Sequence, residues 1–326
     1  MRPLSVIDTL SAGFSTVTRK LWLIALPALV DLYLWRGPRL SMLPVARRVA
    51  SFVRGLSAAN LSGLSPADVA QALEEIGREL NLFSLLNSGL LGMPSLIAWT
   101  TRQIGLRQGG GVTEIQSWGS LFTISAVLVV LGLLIGSAYL ALIALVIREE
   151  DLSVREVWQR TSHCWAWVMV WGILLVGLGV FLNLAISVVT LPVVLINQTA
   201  AQVLLSLLWL MSLGLALGLA LSTFFTVQAL TLQRVGLVWA IWRSFNVVRR
   251  NLWATLGLIF LSVLIQLGFG QIWQRLNTGS WQTLFGILGN AYIGSGVMAA
   301  IMTFYLDRYR RWREEQGAEA IVSDRG

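Results

Sequence analysis

SLFTISAVLVVLGLLIGSAYLALIALVI, residues 120–147, decides the fold. No charged side chain interrupts it, and at about 1.5 Å per residue it outreaches the roughly 30 Å hydrocarbon core of a bilayer. Such a run reads as a membrane-crossing helix that tilts or projects beyond the core. Comparable runs at about 21–36, 166–190, 203–230, 252–273 and 284–306 bring the expectation to six transmembrane helices. Of the 326 residues, 56% are apolar and 12% charged, where a soluble domain carries about 25% charge. The whole chain, 1–326, is therefore read as a single integral membrane domain of the all-α class, and a soluble protein is excluded. The run LWLIALPALVDLYLW (21–35) has the length of a signal-peptide core. Arg36, Gly37, Pro38 and Arg39 stand where a small-residue cleavage site is needed, so it is read as an uncleaved span.

Charge sets the orientation. The net charge of +8 comes almost entirely from arginine, and the basic residues flank the apolar runs instead of forming one long stretch. That distribution excludes nucleic acid and points to the lipid bilayer as partner, with anionic headgroups on the cytoplasmic side. The positive-inside rule puts Arg2, Arg19, Lys20, Arg148, Arg155, Arg160, Arg234, Arg243, Arg249, Arg250 and Arg308 through Arg313 in the cytoplasm, with Arg275 in a short outer connection. The expected location is the bacterial cytoplasmic membrane, multi-pass, with both termini cytoplasmic. Residues 37–118 then form a long outer insertion. Ser65 and Pro66 open a soluble helix over 66–80. The stretch LFSLLNSGLLGMPSLIAW (82–99), interrupted by Asn87, Gly89, Gly92 and Pro94, is read as re-entrant or interfacial. Gly109, Gly110 and Gly111 mark a flexible return through 101–118.

Three cytosolic segments each place an amphipathic helix before a span. In the first, Ile7, Leu10, Phe14, Val17 and Leu21 share a face; in the third, Val238, Ile241, Phe245, Val248 and Leu252 do. The pattern F-x-x-V-x-R-x-L-W occurs twice, with Phe14, Arg19 and Trp22 answering to Phe245, Arg250 and Trp253; these six are the expected interfacial anchors. A middle copy is degenerate: LSV at 152–154 echoes LSV at 4–6, and Arg160-Thr161 echoes Arg243-Ser244. A threefold internal repeat of interfacial helix, outgoing span and returning span accounts for this, although any amphipathic helix entering a membrane needs the same face followed by Arg and Trp.

The cytosolic helix R-S-F-x-x-V-R-R-N-L-W (243–253) running into a span resembles the six-helix membrane domain associated with bacterial glycerophosphodiester phosphodiesterases and its stand-alone inner-membrane relatives. The likeness rests on residues 236–262 and more faintly on 4–35. It implies a six-helix fold and no catalytic residues, since the phosphodiesterase domain has no counterpart here. The insertion at 37–118 departs from that pattern.

Asp31 is the acidic residue inside an expected span, where a carboxylate costs about 2.5–3.5 kcal/mol on insertion scales. Asp31, Asn183, Gln266 and Asn290 each fall in the outer half of a span and form the candidate polar cluster. Two readings stand beside each other: an ion, proton or headgroup site, or Asp31 paired with Arg36 or Arg39 while the amides bond between helices. His163 and Cys164 are the one histidine and one cysteine; adjacent on a helix, they point about 100° apart. Gly132 and Gly136, and Gly214, Gly218 and Ser222, read as helix-packing stripes. No catalytic, metal or cofactor-binding residue is assigned. The functional expectation is a non-enzymatic membrane scaffold, assembly or lipid-interacting module with a membrane-protein partner. The alternatives are a secondary transporter with a polar site near Asp31 and an intramembrane lipid enzyme.

Overall fold

The computed structural model describes residues 4–55, 65–87, 91–98, 111–150, 152–276 and 281–323. The first helix, α1 (Val6–Arg19), opens on Ser5, whose Oγ accepts from the Asp8 N–H at 3.1 Å while the Asp8 carboxylate accepts from the Ser5 N–H at 3.2 Å. This reciprocal box satisfies donors that a helix start otherwise leaves open. A 3-10 turn (Leu21–Ile24), α2 (Ala25–Arg36), strand β1 (Arg39–Ser41), α3 (Leu43–Arg54), α4 (Pro66–Glu79), a second 3-10 turn (Leu82–Leu86), strand β2 (Val112–Glu114) and α5 (Trp118–Ile147) follow. Then come α6 (Val154–Ile196), α7 (Gln198–Ser222), α8 (Thr226–Gln233), α9 (Leu237–Arg250), α10 (Leu252–Leu276) and α11 (Gln282–Ser323).

Among the described residues five helical stretches are long and apolar enough to cross a membrane: Trp118–Ile147, Val154–Ile196, Gln198–Gln233, Leu252–Trp273 and Gln282–Gln316. Among the described residues the regular structure is helical apart from two three-residue strands, and consistent with a multi-pass membrane protein. The expected run at 21–36 is not one long helix. It is a 3-10 turn followed by the 12 residues of α2, which span only about 18 Å.

The insertion forms its own small layer. Strand β1 pairs in parallel with β2, Arg39 opposite Val112 and Ser41 opposite Glu114. The expected 66–80 helix is present as α4, and it packs on α3, a helix the sequence reading did not anticipate; Gly77 sits directly over Ala46 and Leu43. Ser41 Oγ donates to the Gly77 carbonyl at 3.1 Å, and the Leu40 N–H donates to Asn81 Oδ1 at 3.1 Å. These bonds tie the layer to the 3-10 turn at Leu82–Leu86. Of the stretch 82–99, residues 82–86 form the 3-10 turn and 91–98 are irregular, while 88–90, 99 and most of the glycine-rich return, 101–110, lie outside the described residues.

The long helices run antiparallel. One end of the bundle carries Arg148, Arg160, Arg234, Arg250 and Arg308 and is called here the arginine-rich end. Arg160, 3% exposed, reaches Glu150 at 2.5 Å and the Thr231 carbonyl at 3.1 Å, while Arg234 reaches Glu156 at 2.8 Å. The first turns of α6 pack on α5, α9 packs on the ends of α7 and α8, and α1 packs on α11. In that last pair Arg308 Nη2 donates to the Leu4 carbonyl at 2.9 Å, Gly13 abuts Ala300, Phe14 covers Gly296, and the Thr18 and Tyr292 hydroxyls meet at 2.8 Å. Helix α1 therefore runs beside the apolar part of α11 over several turns.

The packed faces overlap the expected ones in part: Val17 and Val248 are buried, and Leu10, Phe14 and Ile241 are half-buried against the core. On α1 the buried residues are Thr9, Gly13 and Val17, whereas Ile7, and Leu21 in the turn that follows, are exposed. On α9 they are Leu237, Ala240, Ser244, Val247 and Val248, with Val238 and Phe245 exposed. Small residues let two backbones approach, so Gly13 and Ser244 mark the contact line and the bulky side chains flank it. Ser244 Oγ donates to the Ser222 carbonyl at 2.9 Å and accepts from the Phe225 N–H at 3.0 Å. Helices α1 and α9 share one ending: each has 14 residues, and the cap residues Lys20 (φ −131°) and Asn251 (φ −129°) each direct one N–H at two carbonyls. Helix α6 continues through the corresponding position into its apolar half.

Candidate functional site

Residues 91–98 form an irregular loop inserted among the helices. The glycines of α5 seat this loop and the 3-10 turn before it: the carbonyls of Leu85 and Leu86 lie over Gly132, at 2.5 and 2.8 Å from where a Cβ would stand, and Leu91 of the loop lies over Gly136. The two glycines receive the turn and the loop where a long helix was expected to pack. Gly92 takes a left-handed φ of +64°, and Pro94 rests on Gly294 of α11. A side chain on Gly294 would collide with the proline ring.

Asp31 holds this loop. It is 1% exposed; one carboxylate oxygen accepts from Ser95 Oγ and the other from the Leu96 N–H at 2.7 Å. Ser95 Oγ in turn accepts from the Ala98 N–H at 3.0 Å. A carboxylate that collects several donors from one loop fixes that loop's backbone. The expected ion pair with Arg36 or Arg39 is not formed. The Arg36 guanidinium lies 4.1 Å from the centre of the Trp35 ring, and Arg39 donates to the Glu79 carbonyl at 3.2 Å. Helix direction accounts for the difference: Asp31 lies on the α2 face that also buries Ala28 and Leu34.

Under the loop lies a chamber of about 580 Å³, bounded by Leu91–Leu96, by Phe224, Val227 and Gln228 at the α7–α8 junction, and by α10 and α11, a volume typical of small-molecule sites. Two of the four candidate polar residues meet in it, Gln266 from α10 and Asn290 from α11. Asp31 stands behind its wall through Ser95, which lines it. Asn183 is elsewhere: it is exposed on α6, and its Nδ2 donates to the Gly179 carbonyl of its own helix at 2.8 Å. The sequence reading missed Ser95, Gln228 and Gln271. Gln228 was legible as a lone amide near the end of the apolar run at 203–230. Its side chain is 6% exposed, and its Oε1 has no hydrogen-bond partner among the described residues.

The remaining candidates are dispersed. Phe14 packs into the core against Tyr292, Arg19 and Trp22 are exposed, and Phe245 stacks on Trp242. Arg250 pairs with Glu315 at 2.7 Å, and Trp253 is 83% exposed. His163 Nε2 donates to the Val235 carbonyl at 3.0 Å, whereas the Cys164 thiol meets Thr231 Oγ1 at 3.1 Å. The two side chains are thus directed to different partners. No known family, curated protein or solved structure matches the chain.

Proposed function

We propose that this chain is a non-enzymatic protein of the bacterial cytoplasmic membrane that binds a membrane lipid in the chamber between α8, α10, α11 and the 91–98 loop. The observation that carries this reading is a chamber with neutral amides inside and bare apolar side chains at its rim, set among helices long enough to cross a bilayer. Polar groups at membrane depth that face a cavity are functional candidates by default.

In this reading the chain crosses six times, with α1, the 3-10 turn and α2 together forming the first pass, in place of the expected 21–36 span preceded by an interfacial α1 with Arg19 and Lys20 in the cytoplasm. The run of α1 beside α11 from Arg308 to Tyr292, with α2 continuing to Ile287, supports it. The arginine-rich end faces the cytoplasm. A threefold repeat is supported by helix starts at matching positions after Ser5, Ser153 and Gly236, and by cyclic packing of each opening helix on the returning helix of the preceding unit. The resemblance of 236–262 to the phosphodiesterase-associated membrane domain agrees with it.

Native mass spectrometry of the full chain released from nanodiscs tests the proposal. One retained lipid is expected, and it should be lost in a Gln266→Leu, Asn290→Leu double variant; equal retention by both proteins would remove the chamber from the account. Cysteine labelling in a Cys164→Ser background tests the topology, and labelling of positions 3 or 320 from outside would contradict it. A permease is the second reading, favoured by irregular backbone at the chamber wall. Solute flux in proteoliposomes that is abolished by Asn290→Leu would favour it over lipid binding alone.

A further inference from the structure

We propose that two copies of this chain pair in the membrane through the apolar half of α6, with Asn183 hydrogen-bonded to the partner's Asn183. The pairing needs α6 to lie in a bilayer and does not involve the chamber.

Asn183 sets the demand for a partner. Between Val168 and Ile196 α6 carries no charged residue, and Asn183 is its one amide. It stands about 20 Å of helix from Ile196 and about 24 Å from Trp167, near the middle of an apolar stretch longer than the hydrocarbon core. A side chain with a single methylene cannot snorkel to a headgroup from there. Its Nδ2 donates to the Gly179 carbonyl at 2.8 Å, which uses one N–H; the second N–H and Oδ1 have no partner among the described residues. Gln266 and Asn290 face a chamber within their own chain, whereas Asn183 is exposed on a helix in whose most apolar stretch nothing is buried. An amide held in hydrocarbon with open valences is costly, and a neighbouring helix is what can fill them.

The residues around it form a seam for such a helix. Ile173, Val176, Val180, Asn183 and Ser187 recur at the alternating three- and four-residue spacing that keeps one face turned to a partner along its length. All five are exposed. Beside them Gly179 has open space where a Cβ would stand, so a second backbone can come close. Thr190, next in the series, is buried and marks the end of the seam.

Membrane geometry selects a second copy as the occupant. Copies of one multi-pass chain share one orientation, so two α6 helices meet in parallel about a twofold axis along the membrane normal, and each residue faces its equivalent at the same depth. An amide suits that arrangement because it carries donor and acceptor together: one Asn183 gives its free N–H to the other's Oδ1. A lone polar residue in an apolar seam also fixes the register of the pair.

The test uses the full chain with Cys164→Ser in phosphatidylethanolamine and phosphatidylglycerol vesicles at low protein-to-lipid ratio. Val176→Cys and Val180→Cys should each give disulfide-linked dimers under a membrane-permeant oxidant. Leu174→Cys, equally exposed but on the opposite side of α6, should not. Energy transfer between copies labelled at the C-terminus gives the dissociation constant. Asn183→Leu should raise it about three- to thirtyfold, the range of an interhelical hydrogen bond in lipid, and Asn183→Gln, which keeps the amide, should restore most of the loss. Monomers at every protein density, or cross-linking from Leu174→Cys as efficient as from Val180→Cys, would overturn the pairing. An unchanged dissociation constant in Asn183→Leu would overturn the role of the amide. Cross-linking of Val180→Cys in native membranes to a different protein and not to a second copy would give the seam to that partner instead. None of these outcomes alters lipid retention by the chamber, so the two readings fail separately.

Discussion

The hairpins α6–α7 and α10–α11 are similar in length, but the second is less apolar, with mean hydropathies of 2.0 and 1.6 against 2.4 and 2.3, and they differ in what they touch. In the most apolar 18-residue stretch of α6 and of α7 nothing is buried, whereas 17% of that of α10 and 61% of that of α11 is. Both hairpins carry amides and glycines. Asn183 on α6 bonds its own helix, and Gly214 and Gly218 on α7 have open space where a side chain would stand. Asn290 on α11 faces the chamber, and Gly294 and Gly296 are covered by Pro94 and Phe14. The same residue type thus does opposite work according to its neighbours: a glycine is a contact only where another chain segment uses the space.

The sharpest way to break this comparison is to fill glycines on both sides of it. Gly13→Leu drives a side chain into the α11 backbone at Ala300, and it should cost about 3 kcal/mol or more by overpacking. Gly214→Leu should stay within about 0.5 kcal/mol. Thermal unfolding in one detergent reads both, and similar midpoints would show that α1 does not pack on α11 as described.

A smaller contrast separates Asp31 from Asn183. Asp31→Ala leaves the Ser95 hydroxyl and the Leu96 N–H without their acceptor, a loss of about 1–3 kcal/mol for each group left unpaired. Asn183→Ala and Arg36→Ala should each change stability by less than about 0.5 kcal/mol. A large loss from Arg36→Ala would restore the ion pair that the structure replaces. Limited proteolysis near residue 95 gives a second readout, because a released loop should be cut sooner.

The smallest stability effect belongs to Gln266→Leu. On an exposed position it should leave unfolding within about 0.5 kcal/mol of the parent, yet lower retained lipid in native mass spectra. Asn183→Leu should lower neither. If both leucine variants lose lipid alike, the two hairpins are equivalent and the chamber is not special.

Much of this was legible from periodicity. The long apolar helices and the helix α4 follow from run length and from the capping signal at Ser65 and Pro66. The packed faces were legible in part: Val17 and Val248 lie on the expected faces and are buried, but hydrophobic size also points to Ile7 and Phe245, while the contact line runs through the small residues Gly13 and Ser244. The chamber was legible by half: Gln266 and Asn290 share a depth along their helices, but depth alone includes Asn183. Rotation about the helix axis separates them, and that depends on contacts distant in sequence. Ser95 escaped because its role comes from meeting Asp31, a residue 64 positions earlier.

The clasp of α1 on α11 also bears on how such a protein is made. Gly13 leaves the ribosome roughly 280 residues before Ala300, and at about 5–20 residues per second the interval is on the order of 15–60 s. Through that time the strip Thr9–Gly13–Val17 has no mate within its own chain, so a nascent protein presents it to whatever insertion factors stand nearby. Completion of the last hairpin hides it. A chain that stalls or misinserts near its C-terminus would keep the strip on display, turning the N-terminal helix into a mark by which cellular quality control can tell finished copies from failed ones.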